Sequence, residues 1–148
     1  MKKIKAIITI LVILIGANIA LAWEARIDIK AGNTETGINI GQRVDATDGI
    51  DGLYDVPALL SGNLQAYIKA GDEKLWRDIR REGSDSVWEL VIESLIDGGV
   101  IIKWDIDRLP SEKRVELIDG LLRIDMKAVD SYIYRNEGVK TLRIEVRR

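Results

Sequence analysis

Hydrophobic and polar residues alternate with a period of two along most of the chain after residue 22. The clearest alternating runs are residues 23–30, 38–41, 100–104, 132–134 and 142–147. A period of two places successive side chains on opposite faces of a strand, so these runs predict half-buried β-strands. Residues 87–92 are apolar except at Glu89, which predicts a central strand of the sheet.

Short groups of turn-forming residues separate these runs. Examples are Gly32-Asn33, Gly71-Asp72, Asp97-Gly98-Gly99 and Asp119-Gly120. Glycine adopts the positive φ angles that tight hairpins require. Eight to ten strands at near-regular spacing predict an all-β fold, a single antiparallel β-sandwich. The only stretch that could form a helical turn is Ser111–Ile118.

The first 22 residues have the pattern of a secretory signal peptide. Lys2, Lys3 and Lys5 precede an apolar run, and Ala20-Leu21-Ala22 supplies small residues at positions −3 and −1. The sequence therefore predicts a signal helix that is cleaved after residue 22 and a mature domain of residues 23–148. Retention as an anchor is the alternative, because residues 6–22 are at the short limit for a membrane-spanning helix. We expect export to the periplasm, the cell surface or the medium.

Cleavage makes the domain more acidic. The whole chain has 22 basic and 24 acidic residues, a net charge of −2, and loss of the three leader lysines leaves 19 basic residues and a net charge of −5. This charge argues against nucleic acid as a partner, and we expect no membrane contact after cleavage. The chain has no cysteine and no histidine, which disfavours zinc, haem and Cys- or His-based catalysis. We therefore predict that the protein is not an enzyme.

An acidic loop is the strongest candidate for a site. Asp45, Asp48, Asp51 and Asp55 lie close together and are interleaved with glycines. Closely spaced carboxylates on such a loop can surround a hard cation, so these four residues are predicted calcium ligands. In the alternative interpretation, the aspartates form turns and accept hydrogen bonds from nearby backbone N–H groups, with arginines as salt-bridge partners.

The same loop resembles a known module. The segment from Gly41 to Pro57, with its Ala-Thr-Asp-Gly-x-Asp sequence and following Asp-x-Pro step, resembles the start of a β-sandwich module of secreted bacterial proteins. The resemblance continues at 76–80, 88–90, 103–105 with 109–110, 124–127, Tyr132 and 142–146. It implies an immunoglobulin-like or jelly-roll sandwich without known catalytic activity.

Two functional hypotheses follow. The first is a secreted or cell-surface protein with a structural or interaction role, which binds a protein partner or assembles with itself by strand addition. The first and last mature strands, residues 23–30 and 141–148, are the candidates for exchange between copies. The second is a calcium-stabilised carbohydrate- or surface-binding module. Trp23 and Trp76 are its candidates for exposed stacking residues, whereas Trp88 is predicted to be buried.

Overall fold

The computed structural model of the protein describes residues 22–148, and these residues form a continuous β-sheet fold. The predicted all-β class is confirmed. The strands are β1 (Ala22–Ala31), β2 (Thr34–Arg43), β3 (Val56–Pro57), β4 (Leu64–Ala70), β5 (Glu73–Arg81), β6 (Ser86–Ser94), β7 (Gly99–Trp104), β8 (Arg114–Asp119), β9 (Leu122–Asp125), β10 (Ser131–Arg135) and β11 (Val139–Arg147).

Three hairpins close through two-residue loops that begin with glycine. The loops are Gly32-Asn33, Gly71-Asp72 and Gly120-Leu121, and their glycines have φ angles of 55°, 60° and 58°. Positive φ at the first loop position is the requirement of the type II′ turn, whose twist matches that of the flanking strands. Glycine therefore fixes the register of these hairpins.

The strands form one curled mixed sheet, in the order β10-β7-β1-β2-β5-β4-β6-β11-β8-β9. The short β3 pairs with β5 beside this path. The prediction of a purely antiparallel sheet is wrong at one place, because β2 and β5 run parallel from the pair Asn39–Arg77 to the pair Arg43–Arg81. The first part of β5 pairs with β4 and the later part with β2, so the sheet turns at this strand.

The curl encloses one hydrophobic core. Isoleucines from β1, β2, β4 and β6 are fully buried together with Trp88. Contacts between strands that are distant in the sheet order hold the curl: the ring of Trp23 meets Trp88 edge-on at 5.9 Å, and the Trp104 indole donates to the Met126 carbonyl at 2.7 Å. The buried position of Trp88 confirms its predicted role.

Other details differ from the sequence predictions. The stretch 111–118 forms no helical turn, since most of it belongs to β8, and the helix among the described residues is a short 3₁₀ turn at Ile106–Arg108. Both strands predicted to exchange between copies are interior: β1 lies between β7 and β2, and β11 between β6 and β8. Strand β1 already begins at Ala22, and the predicted leader otherwise lies outside the described residues. Within residues 22–148 there is no helix long and apolar enough to cross a bilayer.

A buried polar network connects β1 and β2 to the β5–β6 turn and to the segment before β8. The fully buried Gln42 amide accepts hydrogen bonds from the Trp23 indole and the Lys113 ammonium, both at 2.9 Å. Its nitrogen donates to the Ser86 hydroxyl at 2.9 Å and to the Ser84 carbonyl at 3.1 Å. Lys113, itself buried, also donates to Glu82 at 2.6 Å. All donors and acceptors of this amide are therefore satisfied.

Loss of this amide is expected to be costly. Gln42→Ala leaves the half-buried Trp23 indole without its acceptor, removes one of the two acceptors of the buried Lys113 ammonium and takes the donor from the Ser84 carbonyl, and each group left without a partner costs about 1–3 kcal/mol. We expect the free energy of unfolding in urea to fall by roughly 3 kcal/mol or more. Gln65→Ala on β4 is the control, because that half-buried side chain makes one long bond of 3.3 Å to a loop carbonyl. Equal losses for the two variants would contradict the proposed importance of the network.

Candidate interaction surface

The predicted acidic loop is a strap, defined as residues 44–59, that follows β2 and lies against β5. Its short strand β3 pairs with β5 through Val56–Arg77 and Pro57–Leu75. The Ala58 amide donates to the Lys74 carbonyl at 2.9 Å. The Arg77 guanidinium donates to the Tyr54 carbonyl at 3.1 Å. These bonds attach the strap along much of β5.

Asp55 is the most deeply placed of the four predicted ligands. Its side chain is 5% exposed. One carboxylate oxygen accepts from the Ile79 amide at 2.9 Å, and the other accepts from the Asp51 amide at 2.7 Å. A buried carboxylate is tolerated when hydrogen bonds replace its lost hydration. Asp55 therefore connects the strap to β5 and also closes a turn within the strap.

Asp51 and Asp48 accept hydrogen bonds from other backbone groups. Asp51 accepts from the Thr47 hydroxyl at 3.2 Å and from the Tyr54 amide at 3.1 Å. Asp48 accepts from the Arg81 amide at 3.3 Å, at the end of β5. Both residues stabilise the conformation of the strap from its exposed side.

Asp45 lies in a cluster of polar side chains at the start of the strap. Its carboxylate forms an ion pair with Arg43 at 3.0 Å and accepts from the Tyr54 hydroxyl. The Arg43 guanidinium also stacks over the Tyr54 ring, 4.7 Å from its centroid. The Tyr54 hydrogen bond and the Arg43 ion pair hold the pKa of Asp45 below its ordinary value, so this aspartate is charged at neutral pH.

The structure thus places all four predicted residues in one strap and gives each carboxylate a hydrogen-bond donor from the protein. These are the contacts of the turn-forming alternative. No group of three or more acidic side chains among residues 22–148 is arranged to hold a metal ion. Calcium binding by Asp45, Asp48, Asp51 and Asp55 stays a prediction.

Sequence reasoning missed a fifth acidic residue beneath the strap. Asp78 on β5 is 3% exposed and pairs with Arg80 at 3.0 Å. Burial raises the pKa of Asp78, and the Arg80 charge opposes this shift only in part. Asp78 and Asp48 line the same open cavity of about 430 Å³. The alternating pattern could not reveal that Asp78 is buried, because an alternating strand buries every second residue. Asp78 and Ile79 are adjacent and both are buried, in the part of β5 that follows its change of partners.

Exposed apolar side chains are concentrated in the strap. Twelve large hydrophobic side chains are exposed among the described residues, and five of them are concentrated in this one segment. They are Val44, Ile50, Leu53, Val56 and Leu59, of which Leu53 and Leu59 are each 76% exposed. A concentration of exposed apolar side chains on an ordered loop is typical of an interaction surface.

The tryptophans do not form an open stacking platform. Trp23 and Trp76, the predicted exposed pair, are half-buried and pack against the core. The Trp23 ring contacts Trp88, and its indole nitrogen is bound to Gln42. The strap therefore offers the more accessible surface for a partner.

The comparisons with known proteins give no family for this chain. No family model matches it, and neither a curated protein nor a solved structure is significantly similar to it. The interpretation of the strap depends on its own geometry.

The contribution of the buried Asp55 carboxylate to stability can be compared with that of the exposed Asp48 carboxylate. Asp55→Ala removes the acceptor of two backbone amides, and we expect a loss of about 2–4 kcal/mol in the free energy of unfolding. Asp48→Ala removes one long bond at the surface, so a loss below about 1 kcal/mol is expected. Urea denaturation measures both. A smaller loss for Asp55→Ala than for Asp48→Ala would contradict this description of the strap.

The raised pKa of Asp78 has a predictable effect on stability. Because folding favours the protonated form, the contribution of Asp78 is full below its ordinary pKa of 3.8 and is lost as pH rises through the higher folded pKa. Asp78→Asn should therefore have a higher Tm than the parent protein at pH 7. The two Tm values should converge when both proteins are measured below pH 3.8. A lower Tm of the variant at pH 7 would show that the ion pair with Arg80 outweighs burial.

Proposed function

We propose that this chain is an exported, non-enzymatic interaction protein that associates with further copies of itself through the outer surface of the strap. The observation that carries this proposal is the concentration of exposed apolar side chains in the strap. Leu53 and Leu59 face solvent, whereas each of the four carboxylates has a hydrogen-bond donor from the protein. Export, the signal peptide and the immunoglobulin-like or jelly-roll sandwich are parts of this proposal that rest on the sequence.

The charge distribution favours a second copy as the partner. In a two-fold dimer the same surface occurs on both sides of the interface, so equal charges face one another unless they are neutralised. The Arg43–Asp45 ion pair neutralises one carboxylate, and backbone N–H dipoles offset part of the charge of Asp51 and Asp55. The repulsion between two straps is therefore reduced.

The size of the surface favours weak association. The five apolar side chains cover an area on the order of a few hundred Å², below the roughly 800 Å² per partner of a standard stable interface. Reversible association is therefore expected, with a dissociation constant in the micromolar range or above, at about 8 kcal/mol or less. Such contacts suit a protein that works at high local concentration, such as a matrix or filament subunit.

The calcium-stabilised carbohydrate- or surface-binding module is the competing function. It requires calcium at Asp45, Asp48, Asp51 and Asp55. Calcium dependence of assembly or of Tm is therefore the observation that distinguishes the two functions.

Sedimentation velocity of residues 22–148 over a range of concentrations tests the proposal. We expect the weight-average mass to rise with concentration, equally in millimolar calcium and in EDTA. The double substitution Leu53→Ser and Leu59→Ser should reduce this rise and leave Tm unchanged. Leu121→Ser is the matched control, because Leu121 is fully exposed on the β8–β9 turn outside the strap.

Two results would contradict self-association through the strap. One is a double variant that associates as strongly as the parent protein. The other is association that appears only with calcium, with a calcium-dependent rise in Tm, which would favour the competing function.

A further inference from the structure

The curled sheet has two open ends, and the two end strands differ in how well they are protected. Strand β9, paired only with β8, has four residues, two of which are charged. Short length and charge are the usual means by which an edge strand avoids pairing with another chain. Strand β10, which within residues 22–148 pairs only with β7, has the sequence Ser-Tyr-Ile-Tyr-Arg and a charge only at its end. Its central residue Ile133 is 62% exposed. Strand β10 is therefore the unprotected edge.

The backbone groups on the open side of β10 can be identified. Asp130 accepts from the Trp104 amide at 3.1 Å, and the Asn136 amide donates to Gly98 at 2.8 Å. Both bonds run between even-numbered residues of the β10 region and β7. Because backbone groups along a strand point alternately to either side, the N–H and C=O groups of Ser131, Ile133 and Arg135 point away from β7.

We propose that β10 pairs antiparallel with β10 of a second copy, centred on Ile133, and so joins the sheets of the two copies. In this register Ile133 lies opposite the partner's Ile133 on the two-fold axis. The three open residues of each strand form hydrogen-bonded pairs, which gives about six backbone hydrogen bonds across the interface. This contact goes beyond the strap association and does not depend on it.

The sequence of β10 is nearly symmetric about Ile133, and this symmetry makes the strand complementary to itself. Tyr132 lies opposite the partner's Tyr134, and Ser131 lies opposite the partner's Arg135, so the two arginines do not face each other. Aromatic and aliphatic cross-strand pairs each contribute about 0.2–1 kcal/mol. A shift by two residues in either direction would lose the Ile133 pair and part of the ladder.

The side chains of β10 are already ordered in the single copy. The rings of Tyr132 and Tyr134 stack with centroids 6.3 Å apart. The Tyr132 hydroxyl donates to Asp119 at 2.6 Å, and Asp119 in turn pairs with Lys140 at 2.7 Å. Because this edge is held rigid before association, little conformational entropy remains to be lost on pairing.

One polar atom on this strand lacks a partner. The hydroxyl of Tyr134 is the only buried side-chain nitrogen or oxygen in residues 22–148 without a hydrogen-bond partner, and the residue is 8% exposed. A buried hydroxyl without a partner costs about 1–3 kcal/mol. The proposed register brings the partner's Tyr132 next to this residue, and its phenolic oxygen can accept a hydrogen bond.

Two different two-fold contacts on one protomer have a structural consequence. Each contact alone gives a closed dimer. When both are used, every copy has one neighbour at the strap and another at β10, and the assembly grows into an open chain unless the two axes intersect and close a ring. The proposed β10 contact would thus link strap dimers into a larger assembly.

Disulfide cross-linking tests the register, since the natural chain contains no cysteine. The Cα atoms of a hydrogen-bonded antiparallel pair are about 5.5 Å apart, within the range that a disulfide spans. Ile133→Cys in residues 22–148 should form a covalent dimer under mild oxidation. Val139→Cys is the matched control, because Val139 is equally exposed, at 63%, but lies on β11 outside the proposed β10 pairing, and this variant should stay monomeric. Equal dimer yields from the two variants would overturn the proposed register.

Sedimentation of a second variant tests the contact without cross-linking. Ile133→Lys places two like charges at the axis and should raise the dissociation constant of β10 pairing about tenfold or more, with an unchanged Tm. In the Leu53→Ser and Leu59→Ser background, which lacks the strap contact, the parent β10 should still give dimers and Ile133→Lys only monomers. If the double strap variant with the parent β10 is monomeric, the β10 inference is overturned and strap association is not. If Ile133→Lys abolishes dimers but the double strap variant leaves them unchanged, strap association is overturned instead.

Discussion

The fold depends on how the sheet changes direction at β5, and the buried amide of Gln42 holds the end of that strand to its neighbours. Strand β5 pairs with β4 at its start and with β2 at its end, and Gln42 lies on β2 beside that end. Buried polar groups must find hydrogen-bond partners, and the Gln42 side chain donates to the Ser84 carbonyl and the Ser86 hydroxyl. It also accepts from Trp23 and Lys113, so a single side chain joins β1, β2, the β5–β6 turn and the segment before β8.

Much of this architecture can be predicted from local pattern. Strands such as β1 and β11 alternate in hydrophobicity because one face is buried. Hairpins whose loops begin with glycine can be recognised from Gly32 and Gly71, which adopt the positive φ that these turns require. The parallel pairing of β2 and β5 could not be predicted in this way. It joins residues that are distant in sequence, and nothing in the alternation of either strand specifies the direction of its neighbour. The same limit applies to Ser111–Ile118, where charged residues followed by Val-Glu-Leu-Ile fit a strand or a helical turn equally well.

In the strap, too, some features follow from the local sequence and others depend on residues that are distant in the chain. Clustered Asp and Gly residues correctly mark a structured loop, since turns and bound cations use the same side chains. The choice between them depends on donors from elsewhere in the chain, such as the Ile79 and Arg81 amides of β5. Asp78, the most buried aspartate of the region, is invisible to this reasoning because its burial is created by tertiary packing. Asp55 is buried while Leu53 and Leu59 are exposed, which reverses the usual arrangement, and only the folded chain reveals that reversal.

The interior position of β11 constrains the order in which the protein can fold. Strands β8 and β9 pair with each other, and among the described residues they join the rest of the sheet only through β11. A chain that is synthesised from its N-terminus therefore presents the β8–β9 hairpin before the strand that attaches it. A two-stranded hairpin alone is at most marginally stable in water. The Arg123–Glu145 ion pair on this face is likewise missing until residues 139–147 appear. Folding of this region must therefore wait for these residues, and the delay before they appear sets how long the hairpin stays unprotected.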